Sequence, residues 1–399
     1  MRILFLSPRV PDPPDKGDKI RSHHLMRRLA SRHEVHAAFL LDEPADAAHA
    51  ESVARWAAST SWAPRRALES VVRGGWTAAT GRPLSVGWFR SGDLVRRVAR
   101  RRAEVPFDVA LAYCSSMAGY LEDFSGPRVV DFVDVDSLKW KQYSERSGFP
   151  KSAVYSLEHR LLRKYERHLC TDWDRVVIIS AAERDMLGDF ADVGRVDVVE
   201  NGVDSEAFRR SAERPRAPEL VFVGALDYFA NAEGIAWFVR DVWGAVRARV
   251  PAARLRIVGR KPGPAVRALG EVAGVEVVGD VPSVPPELWR SSIAVVPLRI
   301  AQGLQNKVLE AMAAGVPVVS SPAAVRALGD PAGAWKVAET ADQWAGAIAE
   351  LVEDPVAADG QAERAVARVA EEYSWDSKAR DYERVMERAV AEHGRGGSR

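Results

Sequence analysis

Cysteine is nearly absent: Cys114 and Cys170 are the only two in 399 residues. One pair cannot build a disulfide framework, and neither residue sits in a metal-ligand spacing. A reducing, cytoplasmic setting is therefore expected, reaching at most to the inner face of a membrane. Long apolar runs are missing as well. No stretch approaches the ~20 residues of a membrane span, and the apolar run at Met1–Leu6 is too short for a signal peptide. Net charge is +1, which argues neither for nor against nucleic acid; nothing in the expected fold supports such a partner, and none is expected. No short repeat or low-complexity tract interrupts the chain before the polar tail after Glu392.

What is present is length and alternation. The chain is too long for one ordinary core and suits two domains of roughly 150–200 residues. Arg2–Ser7 is a short apolar run, followed by a turn-rich loop to Gly17, a helical pattern over 20–30, and a second apolar run at Val35–Leu41. Strand, helix, strand opens a parallel α/β sheet. Further buried strands are read at 109–113, 129–133, 176–180 and 196–199, with a charged helix over 155–170. The segment 205–219, with Arg209, Arg210, Arg214, Pro215, Arg216 and Pro218, reads as a linker. The alternation then restarts, with strands at 220–224, 255–259, 275–279, 293–297 and 316–320 and helices over 232–249 and 308–314. The expectation is an α/β protein of two Rossmann-like domains facing each other across a cleft, with ligands at the carboxyl ends of the strands. The domains are placed at 1–204 and 220–372, followed by a C-terminal helix and tail at 373–399 that crosses back to the first domain.

The most specific segment is Gln302-Gly-Leu-Gln-Asn-Lys-Val-Leu-Glu310, followed by Ala-Met-Ala-Ala-Gly-Val-Pro-Val-Val319. It resembles the nucleotide-sugar motif of family 4 of the retaining glycosyltransferases, which have the GT-B fold. Asn201-Gly-Val-Asp204, the N-terminal strand with its loop to Gly17, and the Trp375 region agree with that family. Asp131-Phe-Val-Asp-Val-Asp-Ser-Leu-Lys-Trp140 and the 303–310 segment also resemble the branch associated with exosortase (PEP-CTERM) and exopolysaccharide loci.

The resemblance implies sugar transfer from a nucleotide-sugar donor to a glycan or polyprenyl-linked acceptor, with no further cofactor and no metal. Glu310 would accept hydrogen bonds from two ribose hydroxyls, the physics by which an acid selects ribose in dinucleotide folds. Alone, it would read as a carboxylate at a helix start. Most of the family has a glutamate where this chain has Gln302, which can bind sugar hydroxyls but not stabilise a cationic centre. The family's diphosphate-binding arginine and lysine are replaced by Ala225 and Asn231. Some other cation must balance the leaving group. Lys307 is the first candidate, with Arg260, Lys261 and Arg299 behind it, although the loop charges read equally well as solvated.

Gly17, Gly224 and Gly259 fall in loops where a missing side chain admits phosphate or sugar; Gly17 also fits a plain turn. With Val281, Gly303, Leu304, Gln305 and Asn306 these complete the expected donor site, and Glu310, Lys307 and Gln302 form the expected catalytic set. The family's histidine after the fourth strand is absent, since Tyr113-Cys-Ser-Ser116 stands there. Ser115, Ser116, Asp134 and Asp136 are placed on the acceptor side, and His23 and His24 in packing or surface roles. Asp134-Val-Asp136 imitates a metal motif, but acceptor binding or a structural loop is expected instead. From Trp62 to Arg102 there are ten arginines and two acids, interleaved with Trp76, Trp88 and Phe89. That region suits an anionic membrane surface or a polyprenyl-phosphate acceptor, or a solvated basic helix. The competing functions are a nucleotide-sugar epimerase-like enzyme on the same fold and a non-catalytic nucleotide-sugar-binding scaffold.

Overall fold

A computed structural model describes residues 1–14, 17–210, 214–301 and 304–394. The chain divides into two compact units, one of Met1–Asn201 with Lys378–Arg399 and one of Gly202–Ser377.

The first unit is built on a seven-stranded sheet in the order β3-β2-β1-β4-β5-β6-β7. The strands are β1 Arg2–Ser7, β2 Glu34–Leu41, β3 Ser59–Pro64, β4 Val109–Tyr113, β5 Arg128–Val133, β6 Arg175–Ile178 and β7 Val196–Val198. Every pairing is parallel. Ile3, Leu4, Phe5 and Leu6 are all buried, which is why β1 reads as a continuous apolar run: helices cover both faces of a parallel sheet. The edge strand β3, Ser-Thr-Ser-Trp-Ala-Pro, is polar and half-buried and gave no strand signal, as expected where only one neighbour is paired.

The second unit carries a six-stranded parallel sheet in the order β10-β9-β8-β11-β12-β13. Its strands are β8 Glu219–Val223, β9 Arg254–Val258, β10 Val275–Gly279, β11 Ile293–Val296, β12 Val318–Ser320 and β13 Lys336–Val337. The helix expected over 232–249 is Phe229–Trp237 and Trp243–Arg249 joined by a π turn.

Both sheets reverse their winding direction once. The reversal falls between β1 and β4 in the first and between β8 and β11 in the second. Such switch points are where loops diverge and leave a crevice at the carboxyl edge.

Two boundary expectations change. The 205–219 segment is part of the second unit. Arg210 donates to the carbonyls of Leu288 and Ser291, and Arg214 and Arg216 engage Asp359. Arginine-rich composition reads as solvent-facing, yet a guanidinium fork also ties a segment to the carbonyls and carboxylates of its own unit. The chain leaves the first unit at Asn201 and re-enters it at Lys378, within the helix Trp375–Glu392. No helix among the described residues is long and apolar enough to cross a membrane.

Candidate donor site

The second unit's switch point is crowded at the backbone. A Cβ added to Gly259, just past β9, would lie 1.7 Å from the Gly224 carbonyl oxygen. One added to Gly224, past β8, would lie 2.9 Å from Asn231 Nδ2 and 3.2 Å from Lys307 Cε. Gly234 allows the Phe229–Trp237 helix to approach Pro297, whose carbonyl oxygen would be 2.6 Å from an added Cβ. The close approach explains why β8 and β9 each run into glycine.

Lys307 is the second residue of the helix Asn306–Ala313. Its Nζ donates to Asn231 Oδ1 at 2.7 Å, and Asn231 Nδ2 donates to the Ala225 carbonyl at 2.9 Å. Ala225 and Asn231 are thus joined to each other, and Lys307 reaches them from a different element. Burial pulls the Lys307 ammonium down to about 8, against the charge of Glu310. Glu310 lies in the second turn of that helix rather than at its start. Burial raises its carboxyl above the usual range, with Lys307 opposing. Among the described residues none donates a hydrogen bond to the Glu310 carboxylate. The pair is therefore poised in opposite senses: a phosphate would favour charge on Lys307, and hydroxyl donors would favour charge on Glu310.

The other expected cations differ in availability. Arg299 is held by Glu233 at 3.0 Å, which neutralises it. Lys261 has φ of 53° and a loose ion pair with Asp227 at 3.8 Å. Arg260 is exposed, and its carbonyl accepts from the Leu226 N–H. Leu304 and Val281 are half-buried against the unit's core. The Gln305 carbonyl accepts from Val308 and Leu309 N–H groups at the helix entry, and Asn306 opens the helix. Gln302 and Gly303 lie outside the described residues.

In the first unit, Gly17 opens the helix Gly17–Ala30 after β1. Ser115 and Ser116 are buried past β4. The Cys114 thiol, 3.2 Å from Ser116 Oγ, is pushed up to about 12 by burial, which disfavours its thiolate. Asp134 and Asp136 share Lys139, at 2.8 and 3.0 Å. Among the described residues no three His, Cys, Asp or Glu side chains gather as a metal site would require. His23 is buried, 3.3 Å from Asp12 and edge-on to His24. The arginines of 62–102 are largely committed: Arg65 to Asp42, Arg82 to Glu122, Arg102 to Asp123, and Arg73 and Arg90 to backbone carbonyls.

One buried network has no counterpart in the sequence reading. Arg21, 1% exposed, donates to Asp131 Oδ2 at 2.8 Å, to Asn201 Oδ1 at 3.0 Å, to the Val199 carbonyl at 2.7 Å and to the Tyr382 hydroxyl at 2.9 Å. Tyr382 also donates to Asp131. An aspartate inside the apolar strand β5 was the available signal, because a buried charge needs a partner. The Asn201-Gly-Val-Asp204 hallmark is architectural. Asn201 accepts from Arg21, an added Cβ on Gly202 would lie 2.8 Å from the Trp375 backbone nitrogen, and Asp204 caps a short helix through the Ala207 N–H.

The fold and the switch-point site define a class. Two parallel-sheet α/β units of this kind are the GT-B fold. Residues 217–354 match the family described as Glycosyl transferases group 1. A D-inositol 3-phosphate glycosyltransferase of Mycobacterium avium is 27% identical over 250 residues, covering 57% of this chain and 58% of the relative. The chain thus matches little more than half the length of that curated protein. Among solved structures, HepE of Anabaena in complex with UDP has a TM-score of 0.62 at 14% identity, covering 97% of this chain and 100% of that one. Sucrose-phosphate synthase of Thermosynechococcus elongatus has a TM-score of 0.59 at 17% identity, covering 98% and 100%.

Proposed function

We propose that the protein is a glycosyltransferase that moves a sugar from a nucleotide-sugar donor to a glycan or lipid-linked acceptor, with retention at the anomeric carbon and without a metal ion. The observation that carries this reading is the Lys307–Asn231–Ala225 chain at the β8/β11 switch point, one helical turn from Glu310. Glu310 would accept from the two ribose hydroxyls, and Lys307 would face the diphosphate. In the reaction, the acceptor oxygen bonds to the anomeric carbon as the bond from that carbon to the phosphate oxygen breaks. The electron pair leaves with the nucleoside diphosphate, whose phosphate oxygen takes the acceptor proton. A positioned cation beside that developing charge stabilises the transition state. Metal independence is supported by Lys139, whose ammonium already sits between Asp134 and Asp136. The described structures of HepE hold UDP or UDP-glucose, so a UDP-sugar is the first donor to test.

A role in exopolysaccharide or cell-surface glycan synthesis, on the cytoplasmic side and in the exosortase-associated branch, is part of the same proposal and rests on the 131–140 and 303–310 resemblance. Calorimetry across UDP-, GDP- and related sugars, followed by product analysis with the tightest donor, tests it. Binding with turnover supports transfer. Binding without turnover to any acceptor would favour a scaffold, and no binding at all would remove the reading.

A further inference from the structure

The helix Ala67–Ala79 is inside out. Its buried side consists of Ser70, Gly74 and Thr77, while Leu68, Val71, Val72 and Trp76 are 85, 59, 72 and 68% exposed. These positions recur at the helical spacing that normally marks the core-facing stripe. The small side is used for close packing on the helix Leu84–Trp88: a Cβ on Gly87 would lie 2.3 Å from Thr77 Oγ1, and one on Gly74 would lie 3.3 Å from the Leu84 carbonyl oxygen. The helix is thus fixed in this orientation. Beside it opens a cavity of about 450 Å³ walled by Val71, Trp88, Phe89, Trp140, Val154 and Tyr155. The apolar surface continues across Tyr143, Phe149 and Val154, which are 51, 88 and 49% exposed.

The adjoining helix Lys151–Asp172 supplies the charge. Two of its three acids, Glu158 and Glu166, are turned inward, and the third, Asp172, is exposed in the last turn beside His168. Glu158 accepts from the Leu84 and Ser85 N–H groups at 2.6 and 3.0 Å, and Glu166 from Ser137 N–H at 3.0 Å. Lys151, Arg160, Arg163, Lys164 and Arg167 are left on the exposed side. An apolar stripe with aromatic residues next to a mainly basic face is the pattern of a surface that lies in a lipid interface.

We propose that this face of the first unit seats the protein on an anionic bilayer. Leu68, Val71, Val72 and Trp76 enter the headgroup–acyl boundary, and the Lys151–Asp172 helix lies over lipid phosphates. The assignment differs from an arginine-driven contact over 62–102, because those arginines are largely spent on internal partners. It stands apart from the donor chemistry.

Co-sedimentation of the full chain tests it. The vesicles are phosphatidylcholine alone or with about one third phosphatidylglycerol. Binding to the anionic vesicles should exceed binding to neutral ones about tenfold and fall with salt. The V72E/W76E double variant should lose about tenfold in partitioning with an unchanged melting temperature, since both side chains face outward. K164E/R167E should lose only the preference for anionic lipid. Failure of the wild type to bind either vesicle, or equal binding by V72E/W76E, overturns the proposal. A wild-type dimer in light scattering that V72E/W76E dissociates would overturn it in favour of a second copy. UDP affinity, measured on the same samples without vesicles, should be the same in wild type and variants. Its absence would bear on the donor site alone.

Discussion

At the residue scale the informative side chain is Lys307. It is half-buried, bonded to a neutral amide, and held near 8 by burial against the Glu310 charge. A diphosphate arriving beside it would raise that value, so binding takes up a proton wherever free Lys307 has begun to lose one. UDP affinity is therefore expected to fall as pH rises through about 8. Calorimetry in buffers of different ionisation heat should show proton uptake at pH 8.5–9, about half to one unit above that value. Lys307→Met should abolish this pH dependence and cut kcat severely, while uridine binds nearly as before. Equal weakening of uridine and UDP would move the phosphate anchor to Arg260. Glu310→Ala should weaken UDP and uridine alike by more than about tenfold, since a hydrogen bond to a charged group contributes about 1.5–3 kcal/mol. Wild-type kinetics in a folded Glu310→Ala protein would dismiss the ribose contact.

At the element scale, the strands that were legible are those buried on both faces, such as β1 and β4, where apolar runs have no competing explanation. The polar edge strand β3 and the two-residue β13 carried too few apolar positions to register. The 302–310 motif pointed to the helix Asn306–Ala313, but the partnership of Lys307 with Asn231 spans 76 residues and no local pattern encodes it. Sequence comparison registered Asn231 as a loss; only the fold shows what it bonds. Gly259→Ala is a direct test of the crowding at the switch point. Its Cβ has nowhere to go at 1.7 Å from the Gly224 oxygen, so it should cost about 1–3 kcal/mol, read as a lower melting temperature, and should weaken UDP by displacing Gly224.

A second element-scale test lies in the Lys151–Asp172 helix. Burial raises the Glu166 carboxyl to about 8. Its folded value lies above its unfolded one, so the folded chain holds the proton more tightly. The associated stability is full below the usual carboxylate range and is lost as pH rises toward 8. Glu166→Gln should therefore raise the melting temperature at pH 9 by about 2–4 °C and matter little at pH 5. The reverse order would mean that the carboxylate is ionised in the fold.

At the scale of the whole molecule, metal independence is the simplest expectation. EDTA should leave turnover unchanged, and loss restored by Mn²⁺ would show that Lys139 yields Asp134 and Asp136 to an ion. The division of the chain has a different consequence. The second unit is one uninterrupted stretch, Gly202–Ser377, whereas the first is interrupted by it and finished only by Lys378 onward. Tyr382, which satisfies both Arg21 and Asp131, is translated after the entire second unit. On the ribosome, the domain that begins first is completed last. A nascent chain stalled between residues 198 and 382 has every strand of the first sheet but not its closing helix, and a buried cation short of one partner. Premature termination there should yield a product that proteases attack in its oldest part, with the younger domain surviving.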